Sequence, residues 1–91
     1  MTEESILKVS IRQIKAARAL LGWSQEQLAK AAGISVPTIK RLEAQDGGLG
    51  GRLKTAERIT LALHHGGIEF ISENGGGAGV RLMKAKKSKA E

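Results

Sequence analysis

The residues able to do chemistry in this chain are few, and most of their usual arrangements are missing. There is no cysteine and no tyrosine among the 91 residues, which removes thiol catalysis, thiolate metal sites and a disulfide framework. No paired carboxylates fall in a plausible cleft, and no ligand spacing suits a metal. His64 and His65 are neighbours, so on a helix they diverge and cannot hold one ion between them. They read as a polar helix end, where a cationic imidazole suits the helix dipole. The run AQDGGLGGR, Ala44 to Arg52, has the glycines of a phosphate cradle but not the Lys-Ser/Thr ending of a nucleotide loop. An enzyme is therefore a poor reading, and no cofactor or metal is expected. What remains is hydrogen-bond donors and positive charge: Thr38, Lys40 and Arg41, gathered in VPTIKRLE, Val36 to Glu43.

The elements that must position these donors are marked by caps and by periodicity. Ser24 caps a short helix, with Gln27 three residues on to complete a capping box. Leu28 lies on its apolar side beside small Ala29 and Ala32. Gly33 falls where that helix stops, since glycine takes a left-handed backbone without strain. Ile34 returns to the core, and Ser35 caps a second helix from about Val36 to Glu43. That helix buries Ile39 and Leu42 and leaves Thr38, Lys40 and Arg41 on other faces. Pro37 disfavours a helical backbone at Val36 and predicts a start one residue late. Ala29 is small because the second helix crosses closely over it. Two helices joined by such a turn form a helix-turn-helix unit.

This stretch resembles the helix-turn-helix of the phage-repressor-like family, the Cro and cI or xenobiotic-response-element type. The residues that carry the resemblance are Gln25, Leu28, Ala29, Gly33, Ile34, Ser35, Thr38, Ile39, Leu42 and Glu43, with Arg18 upstream. It extends over roughly residues 11–63. The resemblance implies that the third helix of the chain enters the major groove with Val36, Pro37, Thr38 and Arg41 towards base edges. Arg41 would donate two hydrogen bonds to guanine, and Val36 and Pro37 would read thymine methyls or shape. It also implies phosphate contact by Gln25 and an ion pair between Arg18 and Glu43, with Arg18 able to meet a phosphate as well. Lys40 is expected to point at phosphate. Arg52 and Lys54 are read as further phosphate contacts, with a plain connector as the alternative for their loop.

Around that unit, Ser10 and Gln13 make another capping box, opening a helix whose apolar stripe is Ile11, Ile14, Ala17, Leu20 and Leu21, up to Gly22. Arg12 and Lys15 read as solvated surface charge. Trp23 is expected to cover one edge of a small core. Thr55 caps a fourth helix, roughly Ala56 to His65, stopped by Gly66-Gly67, with Ala56, Ile59, Thr60 and Leu63 on one face. Then IEFI and GVRLM flank an Asn74-Gly75 turn signal and predict a β-hairpin. An isolated hairpin is marginal in water. Either it packs on its own helices or, as the preferred reading, Ile68, Phe70, Ile71, Val80 and Leu82 join it to a second subunit.

The fold expected is mainly α: a four-helix repressor-like helix-turn-helix domain followed by a C-terminal β-hairpin. Its parts are a flexible arm over 1–9, the DNA-binding domain over 10–66, the hairpin over 67–84 and a basic disordered tail over 85–91. A net charge of +6 and a pI near 10.1 point to an anionic partner, nucleic acid before membrane. Much of that excess sits at Lys84, Lys86, Lys87 and Lys89. The start MTEESILK is acidic where a secretory signal is basic, and no apolar run spans a bilayer, so a cytoplasmic protein of bacterial or phage type is expected. The function expected is a dimeric transcriptional repressor on a palindromic operator in double-stranded DNA. The alternative is an antitoxin or anti-activator whose main role is binding a partner protein.

Overall fold

The cap signals set the helix boundaries. In the computed structural model, which describes residues 8–49, 53–73 and 75–83, four helices precede one two-stranded sheet: α1 Ile11–Leu21, α2 Gln25–Ala32, α3 Val36–Glu43, α4 Leu53–Gly66, β1 Ile68–Ile71 and β2 Gly79–Leu82. Both capping boxes form. The Gln13 N–H donates to Ser10 Oγ at 3.1 Å and the Ser10 N–H to Gln13 Oε1 at 2.9 Å. Ser24 and Gln27 repeat this at 3.0 and 2.7 Å. Gly33 closes α2 at φ 68°, and the Ile34 N–H then returns to the Ala29 carbonyl at 2.9 Å. That left-handed step turns the chain from α2 into α3 within two residues, and a side chain there would strain it.

The core lies where the four helices and β1 converge. Ile11, Ile14, Leu28, Ile39, Ile59, Leu63 and Ile68 are fully buried there. Thr60 is buried among them without penalty, because its hydroxyl donates to the Ala56 carbonyl at 2.9 Å. Ala29 is buried in the core, and its small side chain suits close packing of helices. The mainly α architecture ending in an antiparallel hairpin is the one expected from the sequence.

Several local expectations are corrected. Pro37 does not delay α3: Val36 is already helical, and proline at the second helical position lacks only an N–H that would have had no intrahelical partner. The fourth helix starts at Leu53, so Thr55 lies inside it and is no cap. Leu20 belongs to the sequence stripe but remains 45% exposed, since it falls on the edge of the buried arc. Val9, assigned to the flexible arm, is in the core. Its carbonyl accepts from the Leu49 N–H at 3.3 Å, and the Ile11 N–H donates to the Gly47 carbonyl at 2.8 Å. These bonds also tie down the first part of the glycine-rich loop, where Leu49 is buried. The N-terminal residues 1–7, Arg52, Asn74 and the lysines from Lys84 onward lie outside the described residues.

The hairpin packs on its own helices, the reading that the sequence ranked second. β1 and β2 pair antiparallel from Ile68 with Leu82 to Ile71 with Gly79. Gln13, buried, reaches from its cap to the mouth of the hairpin and donates Nε2 to the Gly79 carbonyl at 2.9 Å and the Ile71 carbonyl at 3.4 Å. Ile68 is wholly inside the monomer, so it is not available to a second subunit as expected from the sequence.

At the far end of α4 the Trp23 indole lies across Gly66. A Cβ on Gly66 would stand 2.8 Å from Trp23 Cη2 and Cζ2 and 3.1 Å from Leu21 Cδ1. Gly66→Ala is therefore expected to lower stability by about 1–2 kcal/mol, the overpacking penalty less a small gain in helix propensity. Trp23 is the only tryptophan, so its emission reports the displacement directly. An unchanged melting temperature and emission maximum would show that the indole moves aside freely.

Candidate nucleic-acid interface

The exposed side of α3 is built from few residues. Pro37, Lys40 and Arg41 are exposed, and Val36 and Thr38 are half-buried. Pro37 and Arg41 are four apart and Lys40 lies three from Pro37, so all three share one side of the helix. Ile39, on the opposite side, is fully buried, and Leu42 packs against the core. The start of α3 is fixed by Ser35, whose Oγ accepts from the Thr38 N–H at 3.3 Å and lies 2.9 Å from Thr38 Oγ1. Thr38 thus takes part in its own cap while keeping one hydroxyl lone pair for an outside partner. Pro37 and Val36 offer only apolar surface.

The end of α3 is held by a charged network centred on Glu43. Arg18 in α1 donates Nε–H to Glu43 Oε2 at 2.8 Å and Nη2–H to Oε1 at 2.8 Å. Gln25, the first residue of α2, donates Nε2–H to the same Oε1 at 2.9 Å. Lys15 Nζ meets the Glu43 backbone carbonyl at 3.3 Å, satisfying a C-terminal acceptor of α3. Arg18 also donates Nη1–H to the Trp23 carbonyl at 2.9 Å. One carboxylate thereby joins α1, α2 and α3.

The electrostatics follow from that geometry. Glu43 is buried, with 5% of its side chain exposed, against 22% for Arg18. Burial alone raises the carboxyl pKa. The hydrogen bonds from Arg18 and Gln25, with the charges of Arg18 and Lys15, outweigh it and hold Glu43 below the usual carboxylate range. The Arg12–Asp46 contact at 3.4 Å is a different case. Its side chains are 81% and 74% exposed, so it contributes little.

The structure brings Arg18, Gln25 and Glu43 together and sets Val36, Pro37, Thr38, Lys40 and Arg41 along the one helix that they anchor. Gln25 and Arg18 turn donors inward. Arg18 keeps only the second hydrogen of each Nη group for outside partners, and Gln25 its second amide hydrogen. Lys54 is exposed in the first turn of α4; Arg52 lies outside the described residues. Two contributors were missed from the sequence. Lys15, read as solvated, caps α3, and its place one turn before Arg18 on α1 is the signal that could have found it. Arg58 donates Nη1–H to the Gly33 carbonyl at 3.3 Å, bracing the turn between α2 and α3, and nothing local in the sequence marks it. Among the described residues no group of acidic, histidine or cysteine side chains could hold a metal, and no helix is long and apolar enough to cross a membrane.

Residues 14–47 match the helix-turn-helix family model. That span runs from the end of the first turn of α1, through α2 and α3, to the loop after α3. Against the curated proteins the chain has no match.

Proposed function

From the premise that residues 14–47 are a helix-turn-helix of the phage-repressor-like, Cro and cI type, a DNA-binding regulatory domain, we propose that the chain is a sequence-specific transcriptional repressor that inserts α3 into the major groove as a dimer on a palindromic operator. The observation that carries this reading is the division of α3. Its inner side is clamped by Arg18, Gln25 and Glu43, while Pro37, Lys40 and Arg41 stand free on the other. A recognition helix needs that combination, since base contacts specify only when the helix is held in register.

In this reading Arg41 reads guanine through its two-pronged fork, Thr38 bonds a base or a phosphate, and Val36 and Pro37 meet thymine methyls. Lys40 and Lys54 contact phosphate. Gln25 offers its free amide hydrogen to the backbone from the first turn of α2, where the helix dipole favours an anion. Arg52 remains a proposed phosphate contact outside the described residues. Arg18 acts chiefly by positioning α3. Of the hairpin residues, Phe70, Ile71, Val80 and Leu82 retain exposed surface for a second subunit.

The test is binding of the full chain to its own upstream DNA against a scrambled duplex, across a salt titration. Selective binding that weakens steeply with salt is expected, because each neutralised phosphate releases counterions. Equal, weak binding to both duplexes would overturn the repressor reading and favour an antitoxin or anti-activator with a protein partner.

A further inference from the structure

α4 carries a face that its own core does not use. Its inner side buries Ala56, Ile59, Thr60, Ala62 and Leu63 against α1, α2 and β1. Outward stand Lys54, Arg58, Leu61 and His65, all exposed. Steps of four, three and four bring them back to one line along the helix, within an arc of about 60° and over about 16 Å. That is the spacing of a seam by which one helix packs along another. Leu61 lies within it at 47% exposure, with two cations on its N-terminal side and an imidazole on the other. Among the described residues no carboxylate pairs with Lys54 or Arg58. The nearest in sequence, Glu57, sits half-buried on the flank. Arg58 spends an Nη1–H on the Gly33 carbonyl at 3.3 Å. That leaves its Nε–H and Nη2–H, the pair that meets a carboxylate side-on, for an outside partner.

We propose that this seam docks an acidic amphipathic helix of a different protein, with two of its carboxylates on Lys54 and Arg58 and one of its aliphatic side chains on Leu61. Charge decides the sign of the occupant, and Leu61 decides its kind. A phosphate backbone offers nothing apolar to cover a leucine. An amphipathic helix supplies acidic and aliphatic groups at the same steps of three and four. A second copy of α4 does not fit. Laid parallel, it would set Lys54 on Lys54 and Arg58 on Arg58; laid antiparallel, it would press Arg58 on Leu61 with no counter-charge. The positive end of the α4 dipole lies at Lys54 and strengthens the attraction there. The aliphatic stems of Lys54 and Arg58 widen the apolar strip around Leu61. Lys54 is also proposed above as a phosphate contact, so an occupied seam would take one phosphate ligand from DNA. A partner held here thus meets the DNA-binding unit at two points: Lys54 and, through Arg58, the turn that opens α3.

The docking does not rest on the repressor reading, so its test needs no operator. The probe is a synthetic helical peptide with two glutamates one turn apart and a leucine on the next turn. It is titrated into the isotope-labelled full chain, and the backbone amide shifts are followed. The largest shifts are expected at Lys54, Arg58, Leu61 and His65. The same peptide with glutamine for glutamate is expected to bind about tenfold more weakly. Leu61→Gln, at an exposed site, is expected to lose about tenfold as well with helix content unchanged. Lys54→Glu combined with Arg58→Glu is expected to reject the acidic peptide and accept its lysine counterpart. Absence of shifts on α4, shifts centred on α3 instead, equal binding of the glutamine peptide or indifference to Leu61→Gln would each overturn the proposal. So would a scrambled DNA duplex that shifts the whole seam where the peptide does not, since the seam would then belong to phosphate. Selective operator binding depends on α3 and not on Leu61, so the two readings fail separately.

Discussion

Arg18→Ala is expected to lower folding stability by about 3 kcal/mol, the lower end of the range for breaking a buried ion pair. The discount reflects Arg18, which keeps about a fifth of its side chain in water. The loss comes less from the missing attraction than from what is left behind. Glu43 would stay buried with only Gln25 bonded to its carboxylate, and the Trp23 carbonyl would lose its donor. Replacing both partners with apolar residues is therefore expected to cost less than removing Arg18 alone. Denaturant unfolding of the two single variants and the double variant measures the difference; additive losses would refute the coupling. The same network sets a pH dependence. Glu43 has a lowered pKa when folded, so the folded state holds its proton more weakly than the unfolded chain does. Its contribution is fully present above the unfolded carboxylate pKa, about 4.3, and is lost as pH falls through the lower folded value. Glu43→Gln should flatten stability across that acid window while changing little of the slope near neutrality.

Arg41→Ala is expected to cost about 1–3 kcal/mol in operator binding and to relax discrimination at one base position. Arg41 is exposed on α3 and no protein partner holds it among the described residues, so folding should be unchanged and the whole effect should appear on DNA. Lys40→Ala makes the contrast. Removing a phosphate ligand should weaken binding to all sequences alike and reduce the salt slope by about one. Binding measured against a set of single-base operator variants separates the two patterns. If Arg41→Ala weakened every duplex equally, Arg41 would be a phosphate ligand and the base assignment would fall.

What the sequence made legible is what local chemistry decides. The Ser10–Gln13 and Ser24–Gln27 boxes and the glycine after α2 could be read from residues three or four apart, because their partners are always that near. The Arg18–Glu43 pair came from resemblance, since the two residues are far apart in the chain and no spacing rule links them. What escaped was long-range and mediated by backbone. The Val9 carbonyl and the Leu49 N–H pair without any side-chain signature, although an isolated leucine among glycines was a hint that the loop touches the core. Gln13 could be read as half of a cap, but its second role depends on where the hairpin comes to rest. Leu20 shows the limit of periodicity: the pattern identifies apolar positions and cannot say how wide an arc the neighbours will cover. The choice between a hairpin folded on itself and one given wholly to a partner turned on Ile68, and only packing could assign it.

The two attachments of α1 have a mechanical meaning. Gln13 clasps the mouth of the hairpin and Arg18 clamps the end of α3, five residues or about 7.5 Å apart along one helix axis. α1 is therefore a strut with a fixture at each end, and no loop lies between them to absorb a displacement. A tilt imposed at the sheet would arrive at α3 as a tilt of similar size. α1 thus makes one rigid piece of the hairpin and the end of α3, as fixed as the two jaws of a pair of callipers.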